Sequence, residues 1–108
     1  MQVKLLGKKL VLTPSIKEYI ELKMASIEKF MTRFETEREI IVRFELSRAT
    51  QHHHKGEVFY AEATMHLPGK DIRAEDYKED ARMAIDAVKD KLKQELVRYK
   101  EKMVSKRK

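Results

Sequence analysis

The sequence predicts an α+β fold of order β-α-β-β-β-α, a four-stranded, mostly antiparallel sheet with two helices packed on one face. Three observations predict it. Two long stretches carry apolar residues every three or four positions, the spacing of an amphipathic helix. Two segments between them alternate apolar and polar residues, as half-buried strands do. Each of these strands has a single apolar face, so the sheet they build is covered on one side, and a layer of two helices supplies that cover.

The elements follow in order. Val3 and Leu5 alternate with Gln2 and Lys4 as a short first strand, interrupted at Gly7-Lys8-Lys9. Thr13-Pro14 starts a helix, with Thr as N-cap and Pro at the first helical position, where its missing N–H is harmless. Ile16, Ile20, Met24, Ile27, Met31 and Phe34 then mark one apolar face of a helix running to about residue 33. In the second strand Ile40, Val42, Phe44 and Leu46 oppose Ile41, Arg43, Glu45 and Ser47. A loop over Arg48–Gly56 holds His52, His53 and His54, and a third strand sets Phe59, Ala61, Ala63, Met65 and Leu67 against Tyr60, Glu62, Thr64 and His66. Pro68-Gly69 is a tight turn, and Ile72 and Ala74 are the inward positions of a short fourth strand. Asp76-Tyr77-Lys78-Glu79 has the form of a capping box and is expected to open the last helix. Its core stripe is Ala81, Ile85, Val88, Leu92, Leu96, Tyr99 and Met103. Neither repeat nor linker interrupts the pattern, so residues 1–103 are expected to form one domain and 104–108 a short basic tail.

Composition narrows the function classes. A chain of 108 residues with 42% hydrophobic residues can bury one modest core, not two. There is no cysteine, which excludes disulfides, thiolate metal sites and a Cys nucleophile and fits a reducing, cytoplasmic setting. No apolar run approaches the roughly 18 residues of a membrane helix, and residues 1–7 are too short and too soon interrupted for a secretory signal. The net charge is +6, carried at the chain's two ends: +3 over residues 1–36, −2 over 37–76 and +5 over 77–108. Such a balance favours a polyanionic partner, nucleic acid ahead of acidic lipid.

On a helical wheel of about 100° per residue starting at Ala81, the last helix carries two basic stripes. Arg82, Lys89, Lys93 and Lys100 fall at about 80–120°, beside Glu79, Asp86, Asp90 and Glu101 at about 140–200°. Lys91, Arg98 and Lys102 fall at about 260–300°, with only Asp80 and Glu95 close by. A phosphate backbone would meet less competing charge on the second stripe, which is therefore the expected contact edge. A solvated helix face laced with i,i+4 pairs is the competing reading. Lys23 lies within the apolar stripe of the first helix and must snorkel to an edge, either as a cation fixed to meet phosphate or as a boundary residue.

Nothing in the chain reads as a catalytic centre or cofactor site. Three adjacent histidines in an extended loop point in alternating directions, so His52–His54 reads as solvated loop rather than metal ligands. Glu45 and Glu62 could pair as carboxylates on the polar sheet face, but cross-strand pairing with Arg43 explains them equally well. Four Phe and four Tyr, mostly inward-facing, are too few for a stacking platform. An RNA partner should accordingly be recognised by shape and backbone, which points to a structured RNA. The rival readings are a general double-stranded RNA module, a metal-dependent hydrolase using His52–His54, and an interaction module using Tyr60 and Glu62 on the sheet face.

Three segments carry a resemblance over nearly the whole chain. They are Leu12-Thr13-Pro14-Ser15-Ile16-Lys17-Glu18-Tyr19-Ile20 with Ile27-Glu28-Lys29-Phe30; Lys55-Gly56-Glu57-Val58-Phe59-Tyr60-Ala61-Glu62-Ala63 leading to Leu67-Pro68-Gly69; and Ile72-Arg73-Ala74-Glu75, Glu79-Asp80, Ala84-Ile85-Asp86 and Asp90-Lys91-Leu92. In order and spacing they resemble the ribosome hibernation-promoting factor and ribosome-associated inhibitor family. The resemblance implies a non-enzymatic protein with no cofactor or small-molecule substrate. It is expected to act as a monomer that binds ribosomal RNA of the small subunit, in the channel of messenger and transfer RNA, and blocks translation in idle ribosomes. It places family RNA contacts at Lys23, Lys29, Lys91 and Arg98, with Lys102 extending the stripe, and departs from the family at Gln94, beside Lys93. The chain resembles a short form, and its lack of an acidic tail leans toward the forms that promote ribosome pairing.

Overall fold

The computed structural model describes residues 1–31, 40–50 and 57–106, with side chains omitted at 50, 57 and 103–106. The elements are β1 (Gln2–Lys8), α1 (Pro14–Met31), β2 (Ile41–Thr50), β3 (Glu57–Leu67), β4 (Lys70–Lys78) and α2 (Ala81–Lys106). The expected positions Phe34 and His52–His54 lie outside the described residues.

The strands lie in the order β1-β2-β3-β4. The two later pairings are antiparallel, and β1 pairs parallel to β2, with Val3 opposite Val42 and Leu5 opposite Phe44. The sheet is therefore mixed. Parallel neighbours need a crossover, and α1 is that connection. Register puts Val42 beside Met65 and Phe44 beside Ala63, then Met65 beside Ile72 and Ala63 beside Ala74. Because side chains alternate along a strand, these residues share the face that the helices cover. Against it pack Ile20, Met24, Ile27 and Met31 of α1 and Ala84, Ile85, Val88, Leu92 and Leu96 of α2, all fully buried.

Local chemistry sets the ends. Thr13 caps α1, its hydroxyl accepting the Ile16 amide at 3.2 Å and its carbonyl the Lys17 amide at 2.9 Å. Pro68 and Gly69 join β3 to β4 with the combination a type II turn requires, Gly69 at φ 76°. The Tyr99 hydroxyl donates to the Pro68 carbonyl at 2.9 Å and ties α2 to that turn. After β1 the chain doubles back so closely that a Cβ on Gly7 would sit 3.0 Å from the Leu10 carbonyl oxygen.

Two boundaries differ from expectation. β4 is longer than Ile72 and Ala74 suggested and includes Asp76, so Asp76 does not cap α2. The cap is Asp80, whose carboxylate accepts the amides of Arg82 at 2.8 Å and Met83 at 3.2 Å. Strand alternation persists through Asp76, which sits opposite Ala61 on the helix-covered face. The backbone of α2 also continues to Lys106, past the expected start of the tail.

Candidate nucleic-acid interface

Burial of the α2 core stripe fixes the rotation of the helix and sends its cations down two flanks. Arg82, Lys93 and Lys100 reach α1, whereas Lys91 reaches β4.

The α1 flank is organised by two aromatic rings of α1. The Tyr19 hydroxyl donates to Asp86 Oδ1 at 2.7 Å, and Lys23 Nζ stands 3.3 Å from the same oxygen. Lys23 and Arg82 both lie over the Tyr19 ring, at 5.2 and 5.4 Å from its centroid, and Arg82 also donates to Ser15 Oγ at 2.7 Å. The hydrogen bond to Asp86, then burial, raises the Tyr19 hydroxyl above its ordinary pKa. The same carboxylate, by hydrogen bond and by charge, raises the Lys23 ammonium. Lys23 does snorkel to an edge, and the edge is the seam between the helices. Farther along α1, Lys93 and Lys100 lie 5.8 and 5.2 Å from the Phe30 centroid. A cation over a ring is held by the quadrupole and keeps its net charge, which a carboxylate partner would cancel. Lys89 is 3.2 Å from Asp90, and Lys29 occupies the last turn of α1, where a cation also suits the helix dipole.

The β4 flank is arranged differently. Lys91 Nζ is 3.1 Å from Asp76 Oδ2 and donates to the Glu75 carbonyl at 3.1 Å. Burial pushes the Asp76 carboxyl up, but Lys91, the Tyr77 amide and Lys78 together outweigh it and leave it below the usual carboxylate range. Arg98 pairs with Glu95 at 2.9 Å, and Lys102 is exposed. The wheel counted only the carboxylates of α2, and Asp76 of β4 adds one beside Lys91. Lys23, Arg82, Lys93 and Lys100 lie over the α1 rings at one seam, whereas Lys89 pairs with Asp90, Lys91 with Asp76 and Arg98 with Glu95. The organising rings were the missed residues, although the Tyr19–Lys23 spacing of one helical turn was a readable signal.

On the open sheet face Glu45 and Glu62 are direct cross-strand neighbours. They are held apart by different cations: Lys8 takes Glu45 at 3.1 Å and Arg73, not Arg43, takes Glu62 at 3.0 Å. The hydrogen bond from Arg73 is the main cause of the lowered Glu62 pKa. The Tyr60 hydroxyl contacts Glu62 Oε2 at 2.7 Å and also Glu75. His66 pairs with Asp71 at 2.9 Å. Among the described residues no group of three His, Asp or Glu side chains could hold a metal, and no helix is long and apolar enough to cross a membrane.

The fold is an α+β sandwich whose interhelical seam is lined by cations. The chain matches the Sigma 54 modulation protein / S30EA ribosomal protein family over residues 3–104 and belongs to it. It is 30% identical over 104 residues to the ribosome hibernation promoting factor of Azotobacter vinelandii, covering 96% of this chain and 87% of that one. It is 28% identical to the factor of the same name from Salmonella typhimurium, covering 95% and 97% of the two chains. A cyanobacterial relative from Picosynechococcus is 30% identical, and the match spans 53% of its length. The crystal structure of the Thermus thermophilus Protein Y N-terminal domain superposes with a TM-score of 0.74 at 30% identity, covering 92% of this chain and 99% of that one.

Proposed function

We propose that this protein is a ribosome hibernation factor that binds ribosomal RNA of the small subunit in the messenger and transfer RNA channel and blocks translation in idle ribosomes. It acts by occupying the channel and catalyses nothing. The observation that carries this reading is the interhelical seam, where Lys93 and Lys100 both lie over the Phe30 ring. A cation held over a ring keeps its net charge, and each phosphate contact formed releases a counterion from the RNA. The side chains on the seam are long cations rather than base-reading amides, so recognition is of backbone and shape, as a structured RNA requires. Family membership and the hibernation-factor names of the relatives support the ribosome over a general double-stranded RNA.

Co-sedimentation with purified small subunits across a salt series tests it. Binding should weaken steeply with salt, and Lys93→Glu/Lys100→Glu should lower affinity about 100-fold and reduce the log–log salt slope by about 1.5–2. Wild-type protein left in the supernatant at low salt, or equal competition by free RNA duplexes, sinks the proposal.

A further inference from the structure

The open face of the sheet holds a second feature suited to RNA, on the side away from the helices. One row of residues crosses all four strands: Lys8 opposite Ser47, Ser47 opposite Tyr60, Tyr60 opposite Tyr77. The two tyrosine rings are 4.7 Å apart between centroids and inclined at 45°. Tyr60 is anchored through its hydroxyl to Glu62 and Glu75, which fixes it as a support. Tyr77 leans on it with 43% of its surface exposed. A tyrosine is normally drawn at least partly under cover by its apolar ring, so two supported rings on a solvent face form a platform of the kind that stacks nucleobases.

Glu62 and Glu75 hold the Tyr60 hydroxyl at one end of the platform, and the cations gather at the other. A hollow of about 340 Å³ at this corner is lined by Lys8, Lys9, Ser47, Arg48, Tyr60 and Tyr77, with Ala49 completing it. Three cations and no carboxylate stand among its described lining residues. Lys8 is 3.1 Å from Glu45, and Arg48 lies 5.6 Å from the Phe59 centroid. Lys9 is held at φ 59°, in the left-handed region that glycine or asparagine occupies at lower cost. Held in that conformation at the return after β1, Lys9 is one of the residues that line the hollow. The volume sits at the small end of ligand sites, the scale of one nucleotide rather than of a duplex.

The geometry points to a binding site for an unpaired nucleotide of single-stranded RNA, with its base on Tyr77 and its phosphate at Lys9 and Lys8. This goes beyond docking through the helices, because the site lies on the opposite face and reads a flipped or unpaired residue rather than backbone shape. It also departs from the expectation that the aromatic residues are too few and mostly too inward-facing for a stacking platform.

Ultraviolet crosslinking of the full chain to a ten-residue uridine oligonucleotide carrying 5-iodouridine, mapped by mass spectrometry, tests the site. A crosslink at Tyr77 is expected, together with about tenfold weaker binding by anisotropy for Tyr77→Ser, retention by Tyr77→Phe, and a smaller loss for Lys9→Gly, which keeps the backbone conformation. Crosslinks confined to the helices, or Tyr77→Ser binding as wild type does, overturn the inference. The two RNA surfaces separate cleanly: Lys93→Glu/Lys100→Glu should keep the Tyr77 crosslink while losing small-subunit co-sedimentation. A crosslink absent in a protein that still co-sediments removes this site alone.

Discussion

The two flanks of α2 carry similar numbers of cations, yet they hold them by different physics. On the α1 side Lys93 and Lys100 lie over Phe30, and Arg82 lies over Tyr19 and bonds Ser15, a neutral hydroxyl. On the β4 side Lys91 rests on Asp76 and Arg98 on Glu95. Both arrangements order a long side chain. An aromatic quadrupole orients a cation without neutralising it, whereas a carboxylate offsets the charge that it orders. A count of lysines along a helix therefore does not rank its faces; the identity of what each lysine leans on does.

The comparison breaks if the two flanks respond alike to charge reversal. Lys93→Glu/Lys100→Glu should produce the largest loss of small-subunit affinity. Lys91→Glu/Arg98→Glu should cost about fivefold under the same salt, mainly through long-range repulsion of phosphate. Equal losses would show that the ion pairs of the β4 flank open freely on binding. Phe30→Leu keeps an apolar body against the core and removes the ring, and co-sedimentation should weaken about threefold, the scale of one or two cation–π contacts.

The smallest effect sharpens the contrast most. Asp76→Asn leaves Lys91 in place and removes its counter-charge, so small-subunit binding should strengthen about twofold. The same change should lower stability by about 0.2–1 kcal/mol at neutral pH, as expected for a partly exposed pair. Because the folded pKa of Asp76 lies below the ordinary carboxylate value, that contribution is present above the unfolded pKa and is lost as pH falls through the folded one. Urea unfolding of both proteins should therefore differ at pH 7 and converge in acid.

Much of the fold was legible because its signals are local. Thr13-Pro14 announces α1 through a cap and a fixed φ, and the alternation of Val42, Phe44 and Leu46 announces a face of β2. The missed boundary had a local signal too. Two aspartates four residues apart, Asp76 and Asp80, both precede helix-like spacing, and the capping-box pattern favoured the first. The period of two running through Ile72, Ala74 and Asp76 was the better guide, since Asp76 continues the strand's inward positions. The parallel pairing of β1 was also implied by a helix standing between two neighbouring strands. The seam was not legible in the same way. That Lys91 faces an acid from β4, or that Lys93 faces a ring from α1, depends on contacts between elements, and no wheel drawn on one helix contains them.

The parallel pairing of β1 with β2 bears on how the chain is made. β1 leaves a translating ribosome before its partner positions, Ile41 to Ser47, which are synthesised only after the whole of α1. The β3–β4 hairpin and the α2 segment, by contrast, close over short separations as soon as they emerge, and loops that are short close at lower entropic cost. β1 spends its early life as an unpaired strand edge, and its Lys4 and Lys8, with the adjoining Lys9, are the sort of charge that discourages pairing with another nascent chain in the interval. The same lysines that later rim the open face thus guard the strand before there is a sheet for it to join.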